Sequence, residues 1–193
     1  MLLVAEHTIY VSISTTSEIG LVALRADDGQ RFWLKRFPGP GATFSYASRF
    51  GTHLYLNEGD ILEALDATNG NLFWKAPGET PGEVVEVHGV VYVTQLGADS
   101  STLDALNASD GNLIWRHTFT FPATSLKILN VFDNVLFVSS SEPLPSMHIH
   151  FVFCPGTTEP ANTLFALNAS NGEAYWRSLN VSGSLTPLNL RAG

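Results

Sequence analysis

The chain has only one cysteine, Cys154, among its 193 residues. An internal disulfide is therefore excluded, and this cysteine content suits a reducing or an oxidising compartment equally. The chain also lacks a run of about 20 apolar residues, so the sequence predicts no membrane-spanning helix. Glu6 and His7 stand where a signal peptide would need its apolar stretch, so the opening residues are interpreted as strands and not as a leader.

Basic residues are scarce and scattered. Ten Lys and Arg stand against eighteen Asp and Glu, which gives a net charge of −8. Recognition of nucleic acid requires a basic face that neutralises phosphates, so nucleic acid is excluded as a predicted partner. The chain is 45% apolar and 15% charged, a composition typical of globular proteins. No stretch reads as a helix of useful length, so the sequence predicts an all-β protein.

Four gapless segments of thirteen residues repeat one pattern of Leu, Ala, Gly and Trp. They are LVALRADDGQRFW from Leu21, LEALDATNGNLFW from Leu62, LDALNASDGNLIW from Leu103 and LFALNASNGEAYW from Leu164. Each ends on a tryptophan, and these lie 41, 41 and 61 residues apart: Trp33, Trp74, Trp115 and Trp176. Such a period indicates one supersecondary unit stacked against copies of itself.

The repeated segment predicts a β-hairpin. In the second copy, Leu62 and Ala64 alternate with Glu63 and Leu65, which places the two pairs on opposite faces of a strand. The residues 68–71, Thr-Asn-Gly-Asn, then supply a turn, because a glycine accepts positive φ without steric cost.

Two further strands are predicted before most of the hairpins. One set is rich in β-branched and aromatic residues: Thr8–Val11, His53–Leu56, Val90–Val93 and Val135–Val138. The preceding set is Phe44–Tyr46, Val84–Val87 and Leu126–Leu129. In the first copy only nine residues precede Tyr10, so the first unit is predicted to have lost most or all of its innermost strand. Four short strands per repeat of about 40 residues predict the blade of a β-propeller.

The motif A-L-[DN]-A-x-[ND]-G-x-x-x-W, carried for example by residues 64–74, resembles the tryptophan-docking repeat of PQQ-like β-propellers. That superfamily includes quinoprotein alcohol dehydrogenases and the propeller lipoprotein of outer-membrane barrel assembly. The resemblance implies one propeller domain over residues 1–193, with about four blades, and tryptophans packed on neighbouring blades. Small residues at Ala64, Ala105 and Ala166 would leave room for the rings. It also implies an extracytoplasmic location.

The sequence leaves the closure of the ring open, because the family usually has seven or eight blades. The chain could be part of a larger propeller, a head-to-tail homodimer of eight blades, or a closed ring of four. The segment from Thr186 to Leu190 begins ten residues after Trp176 and is interpreted as the innermost strand of a following blade. This segment could complete the first blade.

The insertion at residues 139–162 breaks the repeat in the fourth blade and is the predicted part of a binding surface. It contains His148, His150 and Cys154, residue types that ligate zinc or copper. No fourth ligand lies nearby in sequence, so we interpret the stretch from Met147 to Phe153 as an extra strand and assign no metal site.

The other polar candidates have structural interpretations. Asp66 occupies a repeat position held elsewhere by Arg25, Asn107 and Asn168, so it is predicted to serve the turn or the contact between blades. Three histidines are interpreted as edge or turn residues: His7, His53 and His88. No G-x-S-x-G elbow or other nucleophile signature is present.

The quinone chemistry of the resembling dehydrogenases is not matched by residues. Many of those enzymes use a vicinal disulfide and a tryptophan floor, whereas this chain has one cysteine and four tryptophans that all occupy the repeat position. We therefore assign no catalytic, cofactor-binding or metal-binding residue and predict no cofactor. The predicted function is a non-catalytic binding or scaffolding module for a protein, peptide or saccharide. Part of a PQQ-dependent dehydrogenase and an extracytoplasmic ligand-sensing domain remain the alternatives.

Overall fold

The computed structural model describes residues 2–14, 18–38, 44–78, 81–119, 125–141 and 162–181. These residues form sixteen strands, grouped in four antiparallel sheets of four strands each. Each sheet is a meander in which strands that follow one another in the chain pair side by side. The predicted all-β propeller architecture with about four blades is therefore confirmed.

The strands of each blade follow one another from the innermost to the outermost. Blade 1 consists of β1 (Leu2–Ala5), β2 (Thr8–Ser14), β3 (Glu18–Arg25) and β4 (Arg31–Pro38). Blade 2 consists of β5 (Phe44–Phe50), β6 (His53–Glu58), β7 (Ile61–Asp66) and β8 (Leu72–Pro77). Blade 3 consists of β9 (Pro81–Val87), β10 (Val90–Leu96), β11 (Ser101–Asn107) and β12 (Leu113–Phe119). Blade 4 consists of β13 (Ser125–Phe132), β14 (Val135–Ser141), β15 (Asn162–Asn168) and β16 (Ala174–Val181).

The first strands of neighbouring blades contact each other in chain order, β1 with β5, β5 with β9 and β9 with β13. These strands therefore lie nearest the propeller axis, and the strands that carry the tryptophans lie at the outer rim. The prediction that blade 1 had lost most or all of its innermost strand is wrong. Its strand β1 is short, but all four of its residues pair with β2, from Leu2 opposite Val11 to Ala5 opposite Thr8.

Three apolar cores lie between the blades, because the middle strands are buried on both faces. In β7, Leu62 and Ala64 pack towards blade 3, whereas Leu65 packs towards blade 1. The core between blades 1 and 2 also includes Tyr10 and Leu54. Successive residues of a middle strand thus pack against the two neighbouring blades in turn. Both faces of the strand are buried, which explains why these strands carry so few charged residues.

The turns of each blade lie at one end of the sheet and bond to each other. The amide of Ala67, in the outer turn of blade 2, donates to the carbonyl of Thr52 in the inner turn at 2.8 Å. The other blades repeat this bond: Ala26 to His7, Ala108 to Gly89 and Ala169 to Asn134. Each blade therefore presents a rigid turn to the blade before it.

Candidate functional site

Three of the repeat tryptophans lie against the following blade. The Nε1 of Trp33 donates a hydrogen bond to the carbonyl of Ala67 in blade 2 at 3.0 Å. Equivalent bonds cross the next two boundaries, from Trp74 to Ala108 at 2.8 Å and from Trp115 to Ala169 at 2.9 Å. The three rings are only 6–8% exposed. Each blade boundary is thus built from a ring on one side and a turn on the other.

The receiving turn requires glycine for two reasons. Gly111 has a φ of +73°, a backbone conformation that side chains with a Cβ rarely adopt. A Cβ built on Gly111 would also lie 2.6 Å from the Trp74 ring, and one on Gly70 would lie 2.8 Å from the Trp33 ring. The glycine of the repeat therefore sets the turn and leaves the space that the indole occupies.

A tyrosine of the second strand reinforces two of the three boundaries. The hydroxyl of Tyr10 donates to the Ala67 carbonyl at 3.3 Å, the same oxygen that accepts the Trp33 bond. Tyr92 does the same with Ala169, beside Trp115. Burial raises the pKa of Tyr10 and of Tyr92, so both hydroxyls stay protonated and keep donating at neutral pH.

The second boundary uses its tyrosine differently. The hydroxyl of Tyr55 donates to Glu86 Oε2 at 2.8 Å, and His53 Nδ1 lies 3.0 Å from the same oxygen. Burial and the Glu86 carboxylate together raise the pKa of Tyr55 far above its usual value. The His53 ring also packs edge-on against Phe73 at 5.2 Å. These polar contacts join blade 2 to blade 3, because His53 and Tyr55 lie on β6 and Glu86 lies on β9.

Ion pairs join the two outer strands of blade 2 and of blade 3. Glu63 and Asp104 occupy equivalent positions, are almost fully buried, and pair with cations directly opposite, Lys75 and Arg116. The Arg116 guanidinium donates two hydrogen bonds of 2.7 Å to Asp104. Burial, and then the neighbouring Glu63 carboxylate, raise the pKa of Glu58.

The two end blades carry the unused halves of the boundary. Trp176 of blade 4 is 47% exposed, against 6–8% for the other three rings. At the other end, a Cβ built on Gly29 of blade 1 would have no atom within 4 Å, although its φ of +71° matches that of the receiving glycines. Among the described residues, blade 4 thus presents an exposed ring and blade 1 an open receiving turn.

The free face of blade 1 is apolar as well. Ile9, Val11 and Ile13 alternate with Tyr10, which reaches blade 2, so they lie on the opposite face of β2. Ile13 is 41% exposed. The residues at the positions of Ile9 and Val11 in blade 2 are Leu54 and Leu56, and both are fully buried against blade 1. Among the described residues, this face of blade 1 thus resembles an internal boundary in its apolar side chains, and no described blade packs on it.

A cavity of about 300 Å³ lies between the outer strands of blades 3 and 4. Phe119, Phe165, His117 and Arg177 line it, and Trp176 borders it, although the Trp176 ring lies on the opposite face of β16 from Arg177. The Nδ1 of His117 donates to the Gly172 carbonyl at 2.8 Å, and the His117 and Phe119 rings pack edge to face at 4.8 Å.

Asp66, His7, His53 and His88, which the sequence singles out, lie in turns or at one end of a strand. The Asp66 carboxylate accepts bonds from the amide and hydroxyl of Thr68 at 2.8 and 2.6 Å, which hold its pKa below the usual value; it serves the turn. His7 and His88 lie in exposed turns, and His53 begins β6. His148, His150, Cys154 and the segment from Thr186 to Leu190 lie outside the described residues. Within the described ranges, no three metal-ligating side chains cluster, and no helix is long and apolar enough to cross a membrane.

Sequence reasoning missed the partners of these residues. It placed His53 at a strand junction without Glu86, and it did not identify Glu63, Asp104 or Arg177. The charged residues opposite each other in the hairpins, Glu63 with Lys75 and Asp104 with Arg116, are twelve positions apart and could have been paired from the repeat alignment. Nothing local in the sequence marks Glu86 as a partner of Tyr55.

The structure does not fit the quinone that the resemblance to dehydrogenases implies. All four tryptophans lie on the outermost strands β4, β8, β12 and β16, away from the axis. Three of them are held against the next blade by their own hydrogen bonds. None is therefore placed to form a floor for a planar cofactor at the centre, and no reaction step is assigned to such a group.

Comparison with known proteins identifies relatives at the level of the family and the fold. No curated protein matches the chain. A profile of the family described as outer membrane protein assembly factor BamB matches residues 57–192, more than two thirds of the chain. The match begins in β6 and includes three of the four tryptophan repeats.

Solved structures share the fold at low sequence identity. Quinohemoprotein alcohol dehydrogenase from Comamonas testosteroni superposes with a TM-score of 0.61 and 18% identity, over 92% of this chain and 34% of that chain. The quinohemoprotein alcohol dehydrogenase ADHIIG from Pseudomonas putida HK5 gives 0.59 and 16%, over 92% and 33%. Apo AztD from Citrobacter koseri gives 0.57 and 16%, over 89% and 47%.

The chain thus spans about a third of the two dehydrogenases and about half of AztD, and at these identities the likeness concerns the fold. The repeat motif, the four meander blades and the profile match agree with one another. The chain belongs to the family of the outer membrane protein assembly factor BamB, and its blades have the PQQ-like β-propeller fold.

Proposed function

We propose that the chain is a non-catalytic scaffolding module whose end faces join those of a second copy to complete one propeller ring. The observation that carries this proposal is the pair of unused half-boundaries, the exposed Trp176 ring and the open turn at Gly29. The same ring and turn meet three times inside the chain. Each end of one copy is therefore complementary to the opposite end of another.

The expected assembly is a closed ring of two arcs. Blade 4 of each copy packs against blade 1 of the other, which gives two equivalent boundaries and eight blades, within the usual range of propellers. Closure removes exposed apolar surface at four end faces, including Ile13 and Trp176. The repeated tryptophans take the docking role at the new boundaries as they do within the chain.

A protein is the partner class that the surface and the family support best. An apolar side chain precedes each repeat tryptophan on the outer rim and is about half exposed: Phe32, Phe73, Ile114 and Tyr175. Such a row of apolar side chains suits a protein surface. The family is described by a role in outer membrane protein assembly, which supports an extracytoplasmic location and protein partners for this chain as well.

The test is the solution mass, measured by light scattering over a concentration series. The wild-type chain should reach a stable mass of twice 20.9 kDa and no more, because the two boundaries close the ring. Trp176→Ala and Gly29→Ala should each shift the protein towards the monomer, since each removes one half of the boundary.

Two results would count against this proposal. A wild-type chain that stays a monodisperse monomer would show that its end faces do not join. A dimer that survives both substitutions would show that the copies join through another surface. A monomer is also what we expect if the end faces pack against further blades of a longer chain. In that case a longer chain that includes those blades should form a single ring by itself.

A further inference from the structure

We propose that the cavity between blades 3 and 4 binds a small organic anion that has a carboxylate and an apolar body. The proposal concerns the outer part of this boundary and does not require the ring closure proposed above. It starts from a difference between equivalent positions in the four blades. In blades 2 and 3 a buried acid lies opposite a cation, whereas blade 4 keeps the cation and lacks the acid.

The register of the strands defines that difference. Glu63 lies opposite Lys75 in blade 2, and Asp104 lies opposite Arg116 in blade 3. In blade 4 the same two positions are Phe165 and Arg177, and in blade 1 they are Val22 and Leu34. Blade 1 thus has neither charge at these positions. Blade 4 has the arginine, but a phenylalanine stands where blades 2 and 3 have the acid.

Arg177 has no ion pair with any carboxylate in the described part of the chain, although acids outnumber bases eighteen to ten. Its side chain lines the cavity together with Phe165. A guanidinium offers several donors in a fixed plane and binds carboxylates through two parallel bonds, as Arg116 does with Asp104. A carboxylate brought in by a ligand would therefore restore the pair that blades 2 and 3 form internally.

The remaining walls select the body of the ligand. Phe119 and Phe165 are 2% and 5% exposed, and their rings meet edge to face at 5.0 Å, so this side of the cavity is apolar and firmly packed. His117 is held by its bond to the Gly172 carbonyl, which leaves its Nε2 for a polar contact. A volume of about 300 Å³ is at the lower limit of small-molecule sites and suits a ligand the size of phenylacetate.

The test is a ligand-observed NMR titration of the full chain with phenylacetate. Saturable binding is expected, and Arg177→Gln should weaken it about tenfold or more, because a hydrogen-bonded charge pair is lost. Arg31→Gln is the matched control: it removes the same charge from an exposed site in blade 1 and should leave the affinity unchanged. Acetate, which lacks the apolar body, and phenethylamine, which has the opposite charge, should bind much more weakly.

A second variant recreates the missing acid. Phe165→Asp places a carboxylate opposite Arg177, as Asp104 is placed opposite Arg116, and should abolish phenylacetate binding. Because Phe165 is buried, circular dichroism must first show that this variant is folded. If the variant does not fold, Arg177→Gln still tests the site, because Arg177 is exposed and its substitution does not disturb the core.

Three results would overturn the proposal: no saturable binding to the wild-type chain, equal binding to the wild-type chain and Arg177→Gln, or equal binding of acetate and phenylacetate. Repeating the titration with Gly29→Ala separates the two proposals. That variant should bind phenylacetate normally whether or not it dimerises, because Gly29 lies in blade 1.

Discussion

At the scale of single residues, the fold depends on a contact between an indole and a glycine. The repeat glycine has a positive φ, and the ring of the preceding blade occupies the space where its side chain would be. These two requirements are separable, because Gly29 has the positive φ but no ring lies against it. The chain therefore contains its own control for the contribution of the ring.

Gly111→Ala should destabilise the chain more than Gly29→Ala. Both changes introduce a Cβ at a φ near +72°, which costs about 1–2 kcal/mol. At Gly111 the new atom also lies 2.6 Å from the Trp74 ring, and the displaced packing should add about 1–3 kcal/mol. Urea unfolding followed by circular dichroism measures both variants at a concentration at which the wild type is a monomer. Equal losses of free energy would contradict the assignment of the ring to this space.

Trp74→Ala and Trp176→Ala form a second matched pair. Removing the buried Trp74 ring should reduce the free energy of unfolding by about 3–5 kcal/mol, because a large cavity opens between blades 2 and 3. Removing the half-exposed Trp176 ring should cost the monomer about 1 kcal/mol or less. The same unfolding experiment applies, and a Trp74 variant as stable as the Trp176 variant would show that Trp74 contributes little to the boundary.

Much of this residue-scale account could be predicted from the sequence, because the repeat places Gly and Trp at fixed offsets. The partners of Tyr55 and His53 could not. Glu86 lies 31 and 33 positions away from them on another blade, and its neighbours in the sequence resemble any buried strand. Arg177 drew no attention either, since its meaning appears only when the strand register places Phe165 opposite it.

At the scale of strands and blades, the predicted order of elements was confirmed and one detail was wrong. The strands β2, β6, β10 and β14 were predicted from β-branched and aromatic runs, and the hairpins from the turn residues. Strand β1 was missed because Leu2–Ala5 is too short to show alternation, yet four residues suffice when β2 offers a paired edge. The sequence pattern of so short a segment does not predict a strand whose formation depends on pairing with its neighbour.

Glu83 gives a prediction that belongs to the contact between β9 and β13. Its Oε2 accepts a hydrogen bond from the Ile128 amide at 2.6 Å, which favours the charged form, but burial outweighs this bond and raises the pKa. The folded chain then holds a proton on Glu83 at pH values where the unfolded chain has lost it. The contribution of this group to stability is therefore present below the usual pKa of 4.5 and is lost as pH rises through the raised value.

Glu83→Gln removes this titration while keeping an acceptor for the Ile128 amide. The free energy of unfolding of the wild type relative to this variant should fall as pH rises from 4.5 towards neutrality. Urea unfolding at a series of pH values, compared with Glu173→Gln at an exposed turn, measures the difference. A difference that stays constant or rises with pH would show that burial does not control the Glu83 carboxyl.

At the scale of the whole molecule, the four described blades follow one another, with an exposed ring on blade 4 and an open turn on blade 1. The internal boundaries show what each end face accepts, and the two end faces are opposite halves of that boundary. The sequence already left a head-to-tail dimer open, but it could not show that Trp176 is exposed and that the turn at Gly29 is empty. Those two facts depend on the arrangement of the blades and not on any local motif.

Thiol cross-linking between two single-cysteine variants tests this account most directly. Both chains carry Cys154→Ser; one also carries Trp176→Cys and the other Gly29→Cys, and a short bismaleimide is added to each chain alone and to their mixture. The account predicts a covalent dimer in the mixture and none with either chain alone, because position 176 of one copy meets position 29 of the next. Equal cross-linking of like with like, or none in a mixture that is dimeric by light scattering, would contradict it.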